Sequence, residues 1–133
     1  MAPTLYPTLR YRDPDAAIAW LGAALGFTAK EVFRDDAGAV AHAELAFGDG
    51  LIMLGAIPDD DARDRLRYEQ GVTSTYAYTD DPDALFARAT AATPPAEVAM
   101  ALRDTDYGSR EFSVRDPEGH VWSFGTYRPA PGG

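Results

Sequence analysis

The chain has two histidines, His42 and His120, and no cysteine. Without cysteine there is no disulfide, thiolate zinc site, iron–sulfur cluster or thiol nucleophile. His42 and Glu44 are two residues apart in an alternating segment. On a strand they share a face and could chelate an ion together, or simply form a polar patch. His120 stands three residues from Ser123, so on one strand the two point to opposite faces. That counts against a serine–histidine pair. Ser74, Ser109, Ser113 and Ser123 are the only serines, and none sits in a nucleophile-elbow pattern. Asp59-Asp60-Asp61 lacks the glycine and distal glutamate of a calcium loop and reads as a solvated charge run. Gly48-Asp49-Gly50 is a hairpin turn rather than a phosphate loop.

What remains is a set of tyrosines and polar side chains at alternate positions. On the first strand Leu5, Leu9 and Tyr11 face one way and Tyr6, Thr8 and Arg10 the other. The aliphatic side should meet the helices. Ser74, Tyr76 and Tyr78 share a face, as do Leu51 with Met53 and Val121 with Ser123. His42, Glu44, Glu111 and Ser113 are the corresponding hairpin positions, and Tyr107 lies in the turn before the last hairpin. Such a set, aromatic with a few polar handles, is how small-molecule pockets are built. A tyrosine face can stack on a flat ligand or attract a cation, worth about 0.5–2 kcal/mol where desolvated. Glu44 and Glu111 could pair with a cationic group. Arg10 could pair with an anionic one or neutralise a glutamate. The competing reading of each tyrosine is a half-buried core residue with a surface hydroxyl. Trp20 and Trp122 fall at core spacing and read as packing.

The elements that must position these residues repeat. Thr4 to Arg12 reads as a strand. Asp13-Pro14-Asp15-Ala16 places an N-cap, a proline at the first helical position and an acid at the positive helix end. The helix continues through Ile18, Trp20, Leu21 and Leu25, with Gly26 as C-cap. Ala29 to Phe33, Val40 to Phe47 and Leu51 to Gly55 follow as strands. The order is β-α-β-β-β. Residues 57–71 are a charged linker with Arg63, Arg65 and Arg67. The order then recurs: Thr73 to Thr79 as a strand, Asp81-Pro82-Asp83-Ala84 as a second helix start, then strands at Val98 to Leu102, Glu111 to Val114 and His120 to Tyr127. The two helix starts are offset by 68 residues, and Glu111-Phe112-Ser113-Val114 follows Glu44-Leu45-Ala46-Phe47 by 67. The expected fold is therefore α+β, two βαβββ modules (about 4–56 and 72–128) in one single-domain chain.

Composition is consistent with this. The chain has 133 residues, 46% of them hydrophobic and 25% charged. That is the size and balance of one globular domain. Twelve basic against 21 acidic residues give a net charge of -9. This disfavours nucleic acid and anionic membranes as partners and attracts small cations. The N-terminus has no basic start followed by an apolar run, and no stretch is long and apolar enough to span a membrane, so a cytoplasmic location is expected.

The run Gly108-Ser109-Arg110-Glu111-Phe112-Ser113-Val114-Arg115-Asp116-Pro117-Glu118-Gly119 is similar to the C-terminal hairpin of the glyoxalase and bleomycin-resistance branch of the vicinal oxygen chelate superfamily. Thr79-Asp80-Asp81-Pro82-Asp83-Ala84-Leu85 and Leu25-Gly26-Phe27 extend the resemblance over about Thr4 to Arg128. It implies paired modules, each curling a sheet around a cavity, and a homodimer. Metal-dependent members place ligands on the first and last strand of each module. Those positions are Tyr6, Met53, Ser74 and Ser123 here. A slip of one residue would offer Leu5 or Pro7, Ile52 or Leu54, Thr73 or Thr75, and Trp122 or Phe124. None of these is a good ligand for Zn, Ni, Mn or Fe.

The resemblance thus points to the metal-free, bleomycin-resistance-like branch. The expected function is sequestration of a drug-like ligand, aromatic or cationic, such as an antibiotic, with no cofactor and no catalytic residue. The alternative is a glyoxalase-like lyase or isomerase, or a dioxygenase. It would use a metal site at His42 and Glu44, or metal-free acid–base chemistry by Tyr6, Glu44 or Glu111. A third reading, motivated only by the linker from Pro58 to Glu69, is a protein-docking module.

Overall fold

The computed structural model describes residues 3–57 and 71–130. The charged linker, with Asp59-Asp60-Asp61 and its arginines, falls almost wholly outside the described residues. The chain divides into two compact units, Met1–Gly71 and Val72–Gly133. Among the described residues no helix is long and apolar enough to cross a membrane.

In the first unit β1 (Thr8–Tyr11), α1 (Pro14–Trp20), β2 (Thr28–Arg34), β3 (Val40–Phe47) and β4 (Gly50–Ala56) follow in order. Asp13 caps α1: its Oδ1 accepts the Ala16 N–H at 3.1 Å, with Pro14 at the first position, where a missing N–H does no harm. The helix widens into a π-helical turn over Leu21–Leu25 and ends at Gly26, whose φ of 82° suits glycine. The sheet order is β1-β4-β3-β2, with β1 parallel to β4 and the other pairs antiparallel. Helix α1 packs on β1, β3 and β4. The strand faces toward it carry Leu9, Tyr11, Ala43, Leu45, Ile52 and Leu54, all buried.

The first strand is shorter than its alternation suggests. Leu5, expected among the buried aliphatics, is 85% exposed. Pro7 has no N–H to give to a ladder, and only its carbonyl is used, accepting the Met53 N–H at 2.9 Å. Pairing therefore begins at Thr8.

The second unit repeats the plan: β5 (Ser74–Tyr78), α2 (Pro82–Thr90), β6 (Glu97–Asp104), β7 (Arg110–Arg115) and β8 (Val121–Gly125), in sheet order β5-β8-β7-β6. Asp81 caps α2 as Asp13 caps α1, accepting the Ala84 N–H at 3.1 Å. Its core is Phe112, Val114, Trp122 and Phe124, each 1% exposed or less. Phe86 of α2 meets Phe112 edge-on, centroids 5.2 Å apart. The result is the expected α+β fold of two βαβββ modules.

His120, expected at the strand start or the surface, stands just before β8 and is buried. Its Nδ1 accepts the Thr73 N–H at 3.0 Å. Asp116 is also buried: its Oδ1 accepts the His120 and Glu118 N–H groups and its Oδ2 accepts the Trp122 indole N–H at 3.0 Å. The two residues tie the β7–β8 turn to the start of β5, and both point away from the face that carries Ser123.

Candidate functional site

In each module the strand face away from the helix gathers the polar and aromatic residues. In the first module that face holds Thr8, Arg10, His42, Glu44 and Met53. Met53 pairs in register with Thr8 on one side and Glu44 on the other. Arg10 lies across Gly55, where an added Cβ would stand 2.7 Å from its Nη1. Glycine there lets the guanidinium lie flat on the sheet. His42 Nε2 and Glu44 Oε2 are 3.0 Å apart and half-buried, with the Phe33 ring 5.8 Å from the imidazole. Tyr6 precedes β1, and its hydroxyl donates to the Pro3 carbonyl at 2.5 Å.

The second module carries more chemistry. Tyr76, Ser123, Ser113 and Met100 fall in one row across the four strands. The Ser113 and Ser123 hydroxyls are 2.7 Å apart. The next row is Tyr78, Gly125, Glu111 and Arg103. Gly125 is again a space: a Cβ would come 2.5 Å from Glu111 Cγ and 2.8 Å from the Tyr76 hydroxyl oxygen. Tyr107, in the turn, donates its hydroxyl to Glu111 Oε1 at 2.7 Å. Tyr76 donates to the Tyr127 carbonyl at 2.5 Å. Ser74 opens β5 and is exposed.

Electrostatics follow the geometry. Burial, and then the Glu111 carboxylate, push the Tyr76 phenol above its ordinary value. The hydrogen bond to Glu111 is the main cause that raises Tyr107. Both phenols therefore stay protonated at neutral pH, as donors with intact ring faces.

Three participants were not visible in the sequence pattern: Arg103, Tyr127 and Arg128. Arg103 Nη2 stands 3.9 Å from Glu111 Oε1, and its Nε donates to Met100 Sδ at 2.7 Å. Strand β6 shifts register between Val98 and Met100 and again between Met100 and Arg103. Counting alternate residues fails across such irregularities. Tyr127 follows β8 and meets Tyr107 edge-on, centroids 6.1 Å apart. The Arg128 guanidinium stands 4.5 Å over the Tyr78 ring. A tyrosine and an arginine just past the last strand were the only signal.

The four positions that the resemblance sets against metal ligands carry side chains that do not suit a metal. Tyr6 and Ser123 are engaged with Pro3 and Ser113, Met53 is a thioether, and Ser74 is a neutral hydroxyl. Among the described residues no three His, Cys, Asp or Glu side chains gather as a metal cluster, so the His42–Glu44 pair has no third ligand of these types.

The comparisons with known proteins agree with this architecture. No curated protein matches the chain. Among solved structures it is similar to TioX from Micromonospora sp. ML1, at 29% identity and TM-score 0.73, over 96% of this chain and 98% of that one. A glyoxalase/bleomycin resistance protein/dioxygenase family enzyme from Burkholderia phytofirmans PsJN shares 21% identity with TM-score 0.65, over 90% and 94% of the two chains. A superfamily member from Sphaerobacter thermophilus DSM 20745 shares 16% with TM-score 0.70, over 94% and 97%. The last two likenesses speak for the fold alone. The family profile itself matches residues 5–124, nearly the whole chain, and the protein belongs to the glyoxalase/bleomycin resistance protein/dioxygenase superfamily.

Proposed function

We propose that the chain is a metal-free small-molecule-binding protein that sequesters a drug-like, aromatic or cationic ligand such as an antibiotic, working as a cytoplasmic homodimer. The observation that carries this reading is the donor set. Where metal-dependent relatives need imidazoles and carboxylates, this chain has Tyr6, Met53, Ser74 and Ser123, and two of their hydroxyls are already engaged within the fold. What the sheets offer instead is ring surface with a few charged handles, which is the composition of a recognition site. In the second module these are Tyr76, Tyr78, Tyr107, Glu111, Ser113 and Ser123. In the first they are Thr8, Arg10, His42 and Glu44. The net charge of -9 favours the approach of a cationic ligand.

The test is isothermal titration of the untagged protein with bleomycin and with planar polyaromatic antibiotics, after native mass spectrometry has set its oligomeric state. Micromolar or tighter binding without turnover of the ligand supports the reading. No heat from any of them counts against it.

The second reading is a lyase or isomerase that works by acid–base chemistry. The Tyr107–Glu111 hydrogen bond favours it, because a carboxylate and a phenol in contact can relay a proton. Chemical change of a bound ligand, lost in Glu111→Gln, would move the weight there.

A further inference from the structure

The Glu111 carboxylate has a partner on one side only. Its side chain is 14% exposed. Oε1 accepts the Tyr107 hydroxyl at 2.7 Å. The nearest cation, Arg103, stands 3.9 Å from the same oxygen, beyond hydrogen-bond range, and spends its Nε on Met100 Sδ. Among the described residues no donor reaches Oε2. A partly buried carboxylate with one oxygen open and its nearest cation out of hydrogen-bond range gains from a cation that brings its own N–H. Gly125 makes the arrangement possible, since any Cβ there would collide with Glu111 Cγ.

Two largely exposed rings beside Glu111 offer a shape to recognise: Tyr107, bonded to Oε1, and Tyr127. Tyr107 and Tyr127 stand at 83° to each other, so a flat group stacked on one ring meets the edge of the other. On the same sheet the chain already carries a stacked planar cation of its own, the Arg128 guanidinium over Tyr78, which pairs directly in register with Gly125.

Resting on the small-molecule-binding reading above, we propose that this face of the second module is a subsite for a planar, delocalised cation. A guanidinium, an amidinium or a protonated heteroaromatic ring would stack on Tyr107 or Tyr127 and donate to Glu111 Oε2. The proposal names the charged handle of the ligand and assigns it to one module. Arg103, 3.9 Å from Oε1, is the cation that competes with the ligand for the carboxylate's charge.

The test compares probes of one shape and different charge on the full chain: proflavine, a planar cation; acridine, its neutral counterpart; and acridine carboxylate. Proflavine should bind about tenfold tighter than acridine, the size of one charge-assisted hydrogen bond. Glu111→Gln should abolish that ratio and leave acridine affinity in place. Glu97→Gln, which removes the same charge from an exposed position on β6, should keep it. Arg103→Ala should tighten proflavine severalfold by removing the competing cation. An unchanged ratio in Glu111→Gln, equal binding of the three acridines, or tetraethylammonium binding as tightly as proflavine would each overturn the proposal. If Glu111→Gln melts early, Arg103→Ala decides, and unchanged or weaker proflavine binding sinks the subsite. Bleomycin titrated into the same preparations separates the two readings. Heat with bleomycin but none with proflavine removes only the cation subsite, and heat with neither removes both.

Discussion

The hydroxyls of Ser113 and Ser123 lie 2.7 Å apart across the β7–β8 ladder, each the other's partner on a half-buried sheet face. Ser123 is one of the positions that the resemblance sets against a metal ligand, and here its hydroxyl is closed into a pair of neutral groups. Removing one hydroxyl leaves the other without its partner, which costs about 1 kcal/mol; removing both leaves nothing unsatisfied. Ser113→Ala and Ser123→Ala should each destabilise by about that much, and the double variant by clearly less than their sum. Urea denaturation of the four proteins measures this. Additive losses would mean that the two hydroxyls do not support each other.

A donor set without imidazoles or carboxylates predicts a flat response to metal. A metal held by the native state alone would stabilise it by about 4 kcal/mol at a thousand times its dissociation constant. Zinc, nickel or manganese in modest excess should leave the melting temperature where it is. A rise that disappears in His42→Ala would locate a site at His42 and Glu44, whose side chains touch at 3.0 Å.

Asp13 and Asp81 are the repeat in miniature: the same residue, the same proline behind it and the same 3.1 Å bond to the N–H three residues on. Each satisfies a helix donor that has no partner inside the helix. Asp13→Ala and Asp81→Ala should each lower stability by about 1 kcal/mol, and serine at either position should restore most of it. Chemical denaturation with the two serine variants as controls tests this. Equal losses for alanine and serine would show that the effect is not capping.

These caps were legible because they are local: four consecutive residues fix the chemistry. The alternating faces were legible for the same reason. Leu9, Tyr11, Trp122 and Phe124 are buried while Thr8, Arg10 and Ser123 are not, because strand periodicity holds wherever the strand is regular. Legibility ended where geometry departs from the period. Leu5 is exposed because Pro7 delays the ladder. Arg103 reached Glu111 only through the irregular register of β6. The role of His120 could not be read because its partner, Thr73, is 47 residues away in sequence. Tyr76 and Glu111 were placed by parity, but their meeting at Gly125 depends on an empty Cβ position, and no pattern of residue types announces that.

The raised phenols predict how the protein responds to alkali. Tyr76 and Tyr107 both titrate above the ordinary value of 10.0, the first mainly through burial and the second mainly through its hydrogen bond to Glu111. The protonated form is the one the fold favours. Its contribution is therefore fully present below pH 10.0, the unfolded value, and is lost as the pH rises through the folded-state values. The melting temperature should fall above that point. In Tyr107→Phe the residue has no proton to lose, so the fall should be smaller than in the wild type, although the variant begins without the bond to Glu111. Spectrophotometric titration should show one late-ionising phenol fewer in Tyr107→Phe than in the wild type. Equal alkaline losses in the two proteins would mean that the Tyr107–Glu111 bond does not persist in solution, and would weaken the case for Glu111 as the anionic centre of this face.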